Sequence, residues 1–245
     1  MSLSAFSNTV ATVAFGWEPL QSVWDEVFGY HWRGYSLGLI RYRAQYMVKP
    51  GETVFLCGVF NEGYVRNYLE TVGESGKIIV VEANTSNANK LKNKFASYRN
   101  VIVLNRAIWN KRGTMEFVAG GEDDAQGYNR IEEKSISDFP TKLVKTVVHQ
   151  KVETSTLDHI AADLNLPIVH QINLTINGAE YCALNGMESL LKINPRLRLY
   201  INSQRPDPAY KVVDKLKSMG FKVYDSKLIR TTNKSIKLLR IYACR

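Results

Sequence analysis

Apolar residues occur along most of the chain in two patterns, short continuous runs and stripes with a helical period. The runs "TVFLCG", "KIIVVEA" and "NVIVLNRAIW" are typical of strands that are buried on both faces of a sheet. Between these runs, Glu62 to Val72 and "NTSNANKLKNKFASY" each predict a helix with one apolar side. Alternating strands and helices predict a mostly parallel sheet that is covered by helices on both faces.

The second half of the chain continues this alternation. Five further apolar runs predict strands: "KTVVHQKVET", "IVHQINLTI", "RLRLYINS", "FKVYDS" and "IKLLRIYAC". Three segments predict helices: "STLDHIAADL", "NGAEYCALNGMESLLKI" and "DPAYKVVDKLKSMG". Because the last helix is followed by two strands, we expect an antiparallel hairpin at one edge of the sheet. The segment "AIWNKRGTMEF" predicts another hairpin, with its turn at Asn110 to Gly113.

Two segments depart from the alternation. The first 47 residues are rich in aromatic side chains, and "EPLQSVWDEVFGYHW" has a helical apolar stripe. We therefore predict an N-terminal helical cap over residues 1–47 and a Rossmann-like domain over residues 48–245. Residues 119–142 are polar, contain glycine and show no period, which is typical of a lid or a mobile loop.

Composition adds mostly exclusions. Hydrophobic residues make up 45% of the chain and charged residues 22%, as in globular domains. The 3 cysteines form no CxxC pair and the 4 histidines no HExxH motif, so we expect reduced thiols and no metal site. The N-terminus lacks a basic region before an apolar one, and the apolar runs are too short to cross a bilayer. These features predict a cytoplasmic protein.

The net charge of +9 is concentrated near the C-terminus. From Lys192 onward there are 14 basic residues and 3 acidic ones, whereas the preceding residues have a net charge of −2. Such a surplus forms either a solvated face or a surface for an anionic partner, such as RNA or an acidic glycan. Lys211, Lys215 and Lys222 are the contacts that we expect in the second case.

The loop after the first strand carries the candidate chemistry. Gly58 and Gly63 flank this loop, where glycine allows the backbone to approach a ligand and the next helix exposes free N–H groups. Glu82 closes the second strand about twenty residues later, where an acid can accept both hydroxyls of a ribose. We therefore predict a nucleoside cofactor at the carboxyl ends of the strands.

Six short motifs, in the right order from about Val48 to Asn202, resemble the FkbM-type S-adenosylmethionine-dependent methyltransferases. They are "VKPGETVF", "NEGY", "VVEAN", "LNRAIWNKRGTMEF", "VETSTLDHI" and "INLTINGAEYCALNGMESLL". The resemblance implies a class I methyltransferase fold with a mostly parallel, seven-stranded sheet. It also implies S-adenosylmethionine as the methyl donor.

The resemblance also implies roles for individual residues. The methionine end of the cofactor would be lined by Gly58, Asn61, Glu62, Gly63 and Tyr64. The ribose would be held by Glu82, with Ala83 and Asn84 beside it, and the adenine would be bordered by Asn105, Arg106 and Ala107.

Several charged positions of the family are neutral in this chain. Leu56 replaces an aspartate before the glycine loop, which is one residue longer here, as "GVFNEG". In the family's K-I-D-V-E-G-A-E segment, neutral side chains replace the lysine, the aspartate and the first glutamate, at Asn173, Thr175 and Asn177. We expect these four neutral positions to surround one crevice.

Glu180 is the surviving acid of that segment, and the catalytic candidates are Glu180, Thr175 and Asn177. Two structural alternatives remain open. Thr175 and Asn177 could cap the next helix, and Glu180 could simply favour the dipole at its start. His170 lies within a predicted buried strand, where a hydrogen-bonded core histidine is expected.

Three functions are compatible with this sequence. The first is methyl transfer to an oxygen or nitrogen of a small molecule or glycan. The second is a binding protein that keeps the methyltransferase fold without catalysis. The third is a nucleic-acid methyltransferase that holds phosphates on its basic C-terminal face.

Overall fold

A computed structural model describes residues 48–59, 61–120, 130–131, 147–203, 206–230 and 237–245. In chain order, its elements are β1 (Thr53–Cys57), α1 (Glu62–Val72), β2 (Lys77–Val81), α2 (Thr85–Lys94), β3 (Val101–Leu104), β4 (Ala107–Ile108), β5 (Gly113–Gly120), β6 (Arg130–Ile131), β7 (Val147–Ser155), α3 (Leu157–Asp163), β8 (Gln171–Leu174), α4 (Glu180–Leu184), α5 (Glu188–Ile193), β9 (Arg198–Ser203), α6 (Pro206–Ser218), β10 (Lys222–Arg230) and β11 (Lys237–Cys244).

The main sheet has seven strands in the order β10-β11-β9-β8-β1-β2-β3. The pairs β9–β8, β8–β1, β1–β2 and β2–β3 are parallel, and β11 runs antiparallel to both of its neighbours. This arrangement confirms the predicted class I fold, with a mostly parallel sheet and an antiparallel hairpin at one edge. The carboxyl ends of the five parallel strands from β9 to β3 therefore lie along one edge of the sheet.

Alternation of side chains along the central strands creates two cores. Phe55 and Cys57 belong to the larger core, which also includes residues of α3 to α6. Val54 and Leu56 point the other way, into the core under α1 and α2. Because both faces of β1 are buried, its sequence is continuously apolar, as predicted.

The hairpin expected at Asn110 to Gly113 is wrong. β4 pairs with β7 in parallel and β5 pairs with β7 in antiparallel orientation, so β7 lies between the two expected partners. A second sheet results, with the order β4-β7-β5-β6. The physical reason is length, because β5 pairs with the nine-residue β7 through all eight of its residues, which a two-residue strand cannot match.

The helix expected over "NGAEYCALNGMESLLKI" is divided into α4 and α5. Gly186, between them, lies where a Cβ atom would be only 2.9 Å from the carbonyl oxygen of Trp109. Its own carbonyl oxygen accepts a hydrogen bond of 3.0 Å from the backbone N–H of Asp158. Close packing against α3 and the end of β4 therefore interrupts the helix.

Two predicted segments fall largely outside the described residues. The N-terminal cap over 1–47 does so entirely, and so does most of the loop expected over 119–142. Within that loop, Arg130 and Ile131 form the short strand β6, which was not predicted. In the part of the chain that the structure describes, no helix is both long enough and apolar enough to span a membrane.

Candidate functional site

The ends of β1, β2 and β8 are joined directly to one another. The backbone N–H of Thr175 donates to the carbonyl oxygen of Cys57, and that of Gly58 donates to Val81, each over 2.9 Å. Gly58 has a φ of 76°, and a Cβ atom at this position would overlap the carbonyl oxygen of Thr175. Glycine is therefore required here by the contact between the loops after β1 and β8.

Glu82 is the centre of the predicted cofactor site. Its Oε2 accepts a hydrogen bond of 2.9 Å from the backbone N–H of Val59, and its Oε1 accepts one of 2.8 Å from Asn84. The residue is only 5% exposed. The side chain of Asn87 and the backbone of Ala83 also hydrogen-bond to this carboxylate. Ribose binding by Glu82 remains a prediction. In addition, Glu82 joins the loop after β1 to the loop after β2.

Burial changes the acidity of Glu82 and its neighbour. Desolvation raises the pKa of Glu82 to about 7, although hydrogen bonds from the backbone of Asn84 and Val59 partly oppose the shift. Burial, and secondly the carboxylate of Glu82, also raise the pKa of the Cys57 thiol far above its usual range. Cys57 is therefore a neutral core side chain at physiological pH rather than a nucleophile.

Asn87 is a site residue that sequence reasoning missed. Its side-chain amide donates a hydrogen bond of 2.6 Å to the carbonyl oxygen of Val59, whose N–H is already bound to Glu82. Val59 itself is 1% exposed and lies in the loop that is one residue longer than in the family. The polar start of α2 was the available signal, because Asn84 caps this helix and Asn87 lies in its first turn.

The predicted adenine side is tied to the second sheet. The side-chain amide of Asn105 donates to the carbonyl oxygens of Glu82 and Ala83, over 3.0 and 3.1 Å. Gln150 of β7 donates to the same oxygen of Ala83 over 3.3 Å. Sequence reasoning missed Gln150, since nothing in its strand indicates which loop it contacts.

Arg106 and Ala107, which were also expected beside the adenine, have other surroundings. Arg106 lies 3.6 Å from carboxylate oxygens of both Glu153 and Asp163, on the outer side of the second sheet and α3. Ala107 is buried in β4. Their contact with a cofactor stays a prediction.

The start of α1 has the expected form. Asn61 caps the helix by accepting a hydrogen bond of 3.0 Å from the backbone N–H of Tyr64, with Glu62 and Gly63 in the first turn. Glu62 is exposed and lies 3.3 Å from Lys94. Tyr64 differs from expectation in one respect, because its hydroxyl is bonded to Asn173 on the sheet beneath the helix.

The expectation that four neutral positions surround one crevice is wrong for two of them. Leu56 and Asn173 are 0% and 1% exposed and lie side by side in the register of β1 and β8. Both precede the last residue of their strand, so they face the underside of α1 rather than the open edge. Thr175 and Asn177, by contrast, follow the end of β8.

The loop after β8 holds the three catalytic candidates. Thr175 is partly exposed, whereas Asn177 is 7% exposed and Glu180 is fully buried. Oε2 of Glu180 accepts a hydrogen bond of 2.8 Å from the backbone N–H of Gly178. The capping alternative is wrong for Thr175 and Asn177, because α4 has Ala179 at its N-cap and no side-chain cap. A catalytic role for Glu180 stays a prediction.

His170 lies at the opposite edge of the sheet. Its Nδ1 accepts a hydrogen bond of 2.9 Å from the backbone N–H of Thr53, at the start of β1. The expected hydrogen bond is therefore confirmed, but the core position is wrong, because His170 is partly exposed and lies just before β8.

Comparison with known proteins places the chain in a family. A sequence profile described as the methyltransferase FkbM domain matches residues 57–223, which is more than half of the chain. A comparison with curated proteins gave no match.

Solved structures with a similar fold share little sequence with this chain. One is an S-adenosylmethionine-dependent methyltransferase from Aquifex aeolicus, with 16% identity, coverage of 83% of this chain and 87% of that chain, and a TM-score of 0.47. Another is fibrillarin from Aeropyrum pernix with bound S-adenosylmethionine, with 11% identity, coverage of 80% of this chain and 67% of that chain, and a TM-score of 0.47. A third is a precorrin-6y C5,15-methyltransferase from Geobacter metallireducens, with 12% identity, coverage of 88% of this chain and 93% of that chain, and a TM-score of 0.45.

Proposed function

The chain belongs to the FkbM family of S-adenosylmethionine-dependent methyltransferases, and we propose that it methylates an amine or an acidic hydroxyl of a small molecule or glycan. The observation that carries this proposal is the burial of Glu180. This residue is the one carboxylate in the loop from Thr175 to Glu180, and none of its surface is exposed.

The residues at the edge of the sheet fit the cofactor. S-adenosylmethionine supplies, when bound, a methyl group on a positively charged sulfur. Glu82, at the carboxyl end of β2, is an acceptor for ribose hydroxyls in this proposal. The first turn of α1 offers backbone N–H groups to the carboxylate of the methionine end. Gly58 is partly exposed at the start of the loop between β1 and α1.

The acceptor class follows from the loop from Thr175 to Glu180, whose one carboxylate is buried. A general base contributes typically ~10²–10⁴-fold when a neutral hydroxyl attacks. Thr175 and Asn177 have no basic carboxylate, and Glu180 is buried against Gly178. Alignment of the acceptor with the methyl group must then supply most of the acceleration. An amine, or a hydroxyl that is already acidic, needs no more than this.

Calorimetric titration with S-adenosylmethionine and S-adenosylhomocysteine tests the cofactor site, and a radiolabelled methyl-transfer assay tests the acceptor. The acceptor panel should contain matched amines, phenols and simple sugar alcohols. We expect micromolar cofactor binding and transfer to amines or phenols only. Efficient transfer to an unactivated sugar hydroxyl would contradict the proposed acceptor class. Cofactor binding without transfer to any acceptor would favour the binding protein without catalysis.

Exposed lysines favour a second candidate, a nucleic-acid methyltransferase. Lys211 and Lys217 of α6 and Lys222 of β10 are exposed, and Lys215 is partly exposed. Cations on one surface bind phosphates with an affinity that falls as salt rises. Lys211→Glu combined with Lys222→Glu should abolish RNA binding at low salt if this candidate is correct. If RNA does not bind the wild type at low salt, these lysines form only a solvated face.

A further inference from the structure

Asn173 lies at the centre of a buried polar cluster between β8 and α1. Its side-chain amide donates to the hydroxyl oxygens of Tyr64 and Tyr68, over 3.1 and 2.6 Å. Its Oδ1 accepts a hydrogen bond of 2.9 Å from the side-chain amide of Gln171. Asn173 is 1% exposed, and the two tyrosine rings pack edge to face at a centroid distance of 5.2 Å.

An apolar core lies beside this cluster. Leu56 lies beside Asn173 in the register, and the nearby core under α1 includes Val54, Val65 and Val80. A buried amide in such surroundings is costly unless its hydrogen bonds are made. Because two of these bonds end on α1, the helix is held in one position relative to β8 by directional contacts as well as by apolar packing.

Tyr64 and Asn173, the two ends of this connection, each lie close in sequence to a loop at the carboxyl edge of the main sheet. Tyr64 lies in the first turn of α1, and its backbone N–H is bonded to the cap residue Asn61 at the end of the glycine loop. Thr175 lies two residues beyond Asn173. Its backbone N–H donates to the carbonyl oxygen of Cys57, and its own carbonyl oxygen lies close to Gly58. The cluster therefore links the loop that receives the cofactor to the loop that would receive the acceptor.

We propose that Asn173 is a positioning residue for methyl transfer, which holds the start of α1 against β8 and so fixes the spacing of these two loops. This inference rests on the proposed placement of the cofactor at the carboxyl edge. Leu56 and Asn173 are adjacent across β1 and β8, and the hydroxyl oxygens of Tyr64 and Tyr68 accept the hydrogen bonds of the Asn173 amide.

Asn194 provides a matched control. It is also a buried asparagine, 3% exposed, and its Oδ1 accepts a hydrogen bond of 2.7 Å from the backbone N–H of Val169. Its amide donates 2.7 Å to the carbonyl oxygen of Leu190. Asn194 follows α5 and bonds to the segment that enters β8, away from the loops at the carboxyl edge. Removal of either amide should lower stability, but only Asn173 should alter the site.

The experiment compares Asn173→Ala with Asn194→Ala by calorimetry with S-adenosylmethionine and by hydrogen exchange of backbone amides. We expect Asn173→Ala to weaken cofactor binding about tenfold, a factor that corresponds to about 1.4 kcal/mol. The amides of Val59 and Thr175 should exchange about tenfold faster relative to global unfolding. Asn194→Ala should change neither quantity by more than about twofold, within the scatter of independent sites.

Tyr68→Phe is the second variant, because it keeps the ring and removes only the hydroxyl. It should produce the same changes to a smaller extent, about threefold, as expected for a single hydrogen bond. Tyr98→Phe, which removes a hydroxyl from an exposed ring, is its control. Unchanged exchange at Val59 and Thr175 in both Tyr68→Phe and Asn173→Ala would overturn the inference. If the wild type binds no cofactor, the proposed function fails, while hydrogen exchange still decides the role of Asn173.

Discussion

Glu82 and Glu180 are two buried glutamates at the same edge of the sheet, but Glu82 connects two loops, whereas the bond of Glu180 to Gly178 lies within one turn. Glu82 accepts from Val59, 23 residues earlier, and from Asn84, so it connects two loops. Glu180 accepts a hydrogen bond from the backbone N–H of Gly178, two residues before it. The first carboxylate therefore connects two loops on the proposed cofactor side, whereas this bond of the second shapes a turn on the proposed acceptor side.

A buried carboxylate can therefore be retained because its hydrogen bonds hold the local structure together. Either carboxylate would be expensive to bury without donors. Glu82 accepts from N–H groups of two loops, and Gly178 is among the donors to Glu180. Thr175 and Asn177 precede Glu180 in the segment after β8, which is the proposed acceptor side.

The largest effect on stability is expected at Gly58, where the loop after β1 contacts the loop after β8. Gly58→Ala should destabilise the protein by about 3–5 kcal/mol, because it adds backbone strain and a clash with the carbonyl of Thr175. Gly220→Ala is the control, since Gly220 has a similar φ of 82° but no atom closer than 3.6 Å to an added Cβ. It should cost about 1–2 kcal/mol. If both substitutions lowered the free energy of unfolding equally in urea, the loops after β1 and β8 would not be in close contact at Gly58.

Removal of each carboxylate tests the comparison directly. Glu82→Ala should lower the free energy of unfolding by about 2–4 kcal/mol, because two buried N–H groups lose their acceptor. It should also weaken binding of S-adenosylmethionine at least tenfold, by about 1.5–3 kcal/mol. Glu180→Ala should cost less stability and leave cofactor affinity unchanged. Glu153→Ala, at an exposed position, is the control for both variants. Loss of cofactor affinity in Glu180→Ala would contradict the proposal that Glu180 lies on the acceptor side rather than the cofactor side.

The titration of Glu82 gives the next effect. Its pKa is raised from 4.5 to about 7, so the folded state binds more protons than the unfolded state between these values. Its contribution to stability is therefore fully present below the lower value and is lost as pH rises through the upper one. Relative to Glu82→Gln, the wild type should lose about 3 kcal/mol between about pH 4 and about pH 8.

Cofactor binding should show the opposite dependence on pH. Ribose hydroxyls donate more strongly to a carboxylate than to a carboxylic acid, so affinity should rise through about pH 7 and a proton should be released. Calorimetry in buffers of different ionisation enthalpy measures this release. A pH-independent affinity would show that the ribose does not bind Glu82.

The smallest effect is expected at Glu180. Because the proposed acceptor needs no base, Glu180→Gln should retain cofactor binding and keep turnover of an amine within about threefold, far from the ~10²–10⁴-fold loss of a general base. Abolished turnover with intact binding would instead identify Glu180 as the base. Thr175→Asp is the companion variant. A gain of activity on sugar hydroxyls would mark a decayed site, and a loss would mark one adapted to different chemistry.

Local patterns in the sequence predicted most of the elements and their order. Continuous apolar runs predicted β1, β2 and β8, and the bounds of α1 agree with its apolar stripe from Glu62 to Val72. These signals are local, because burial on both faces or on one stripe dictates side-chain type at a fixed period. The position of Glu82 at the end of β2 followed from the same pattern.

Which residues lie together on one surface depends on the tertiary structure. Leu56 and Asn173 are separated by more than a hundred positions in sequence, and their common place under α1 depends on the register of β1 and β8. Gln150 reaches Ala83 only because β7 enters between β4 and β5. Strand pairing and loop contacts of this kind depend on partners far along the chain, and no local period records which partner a strand will find.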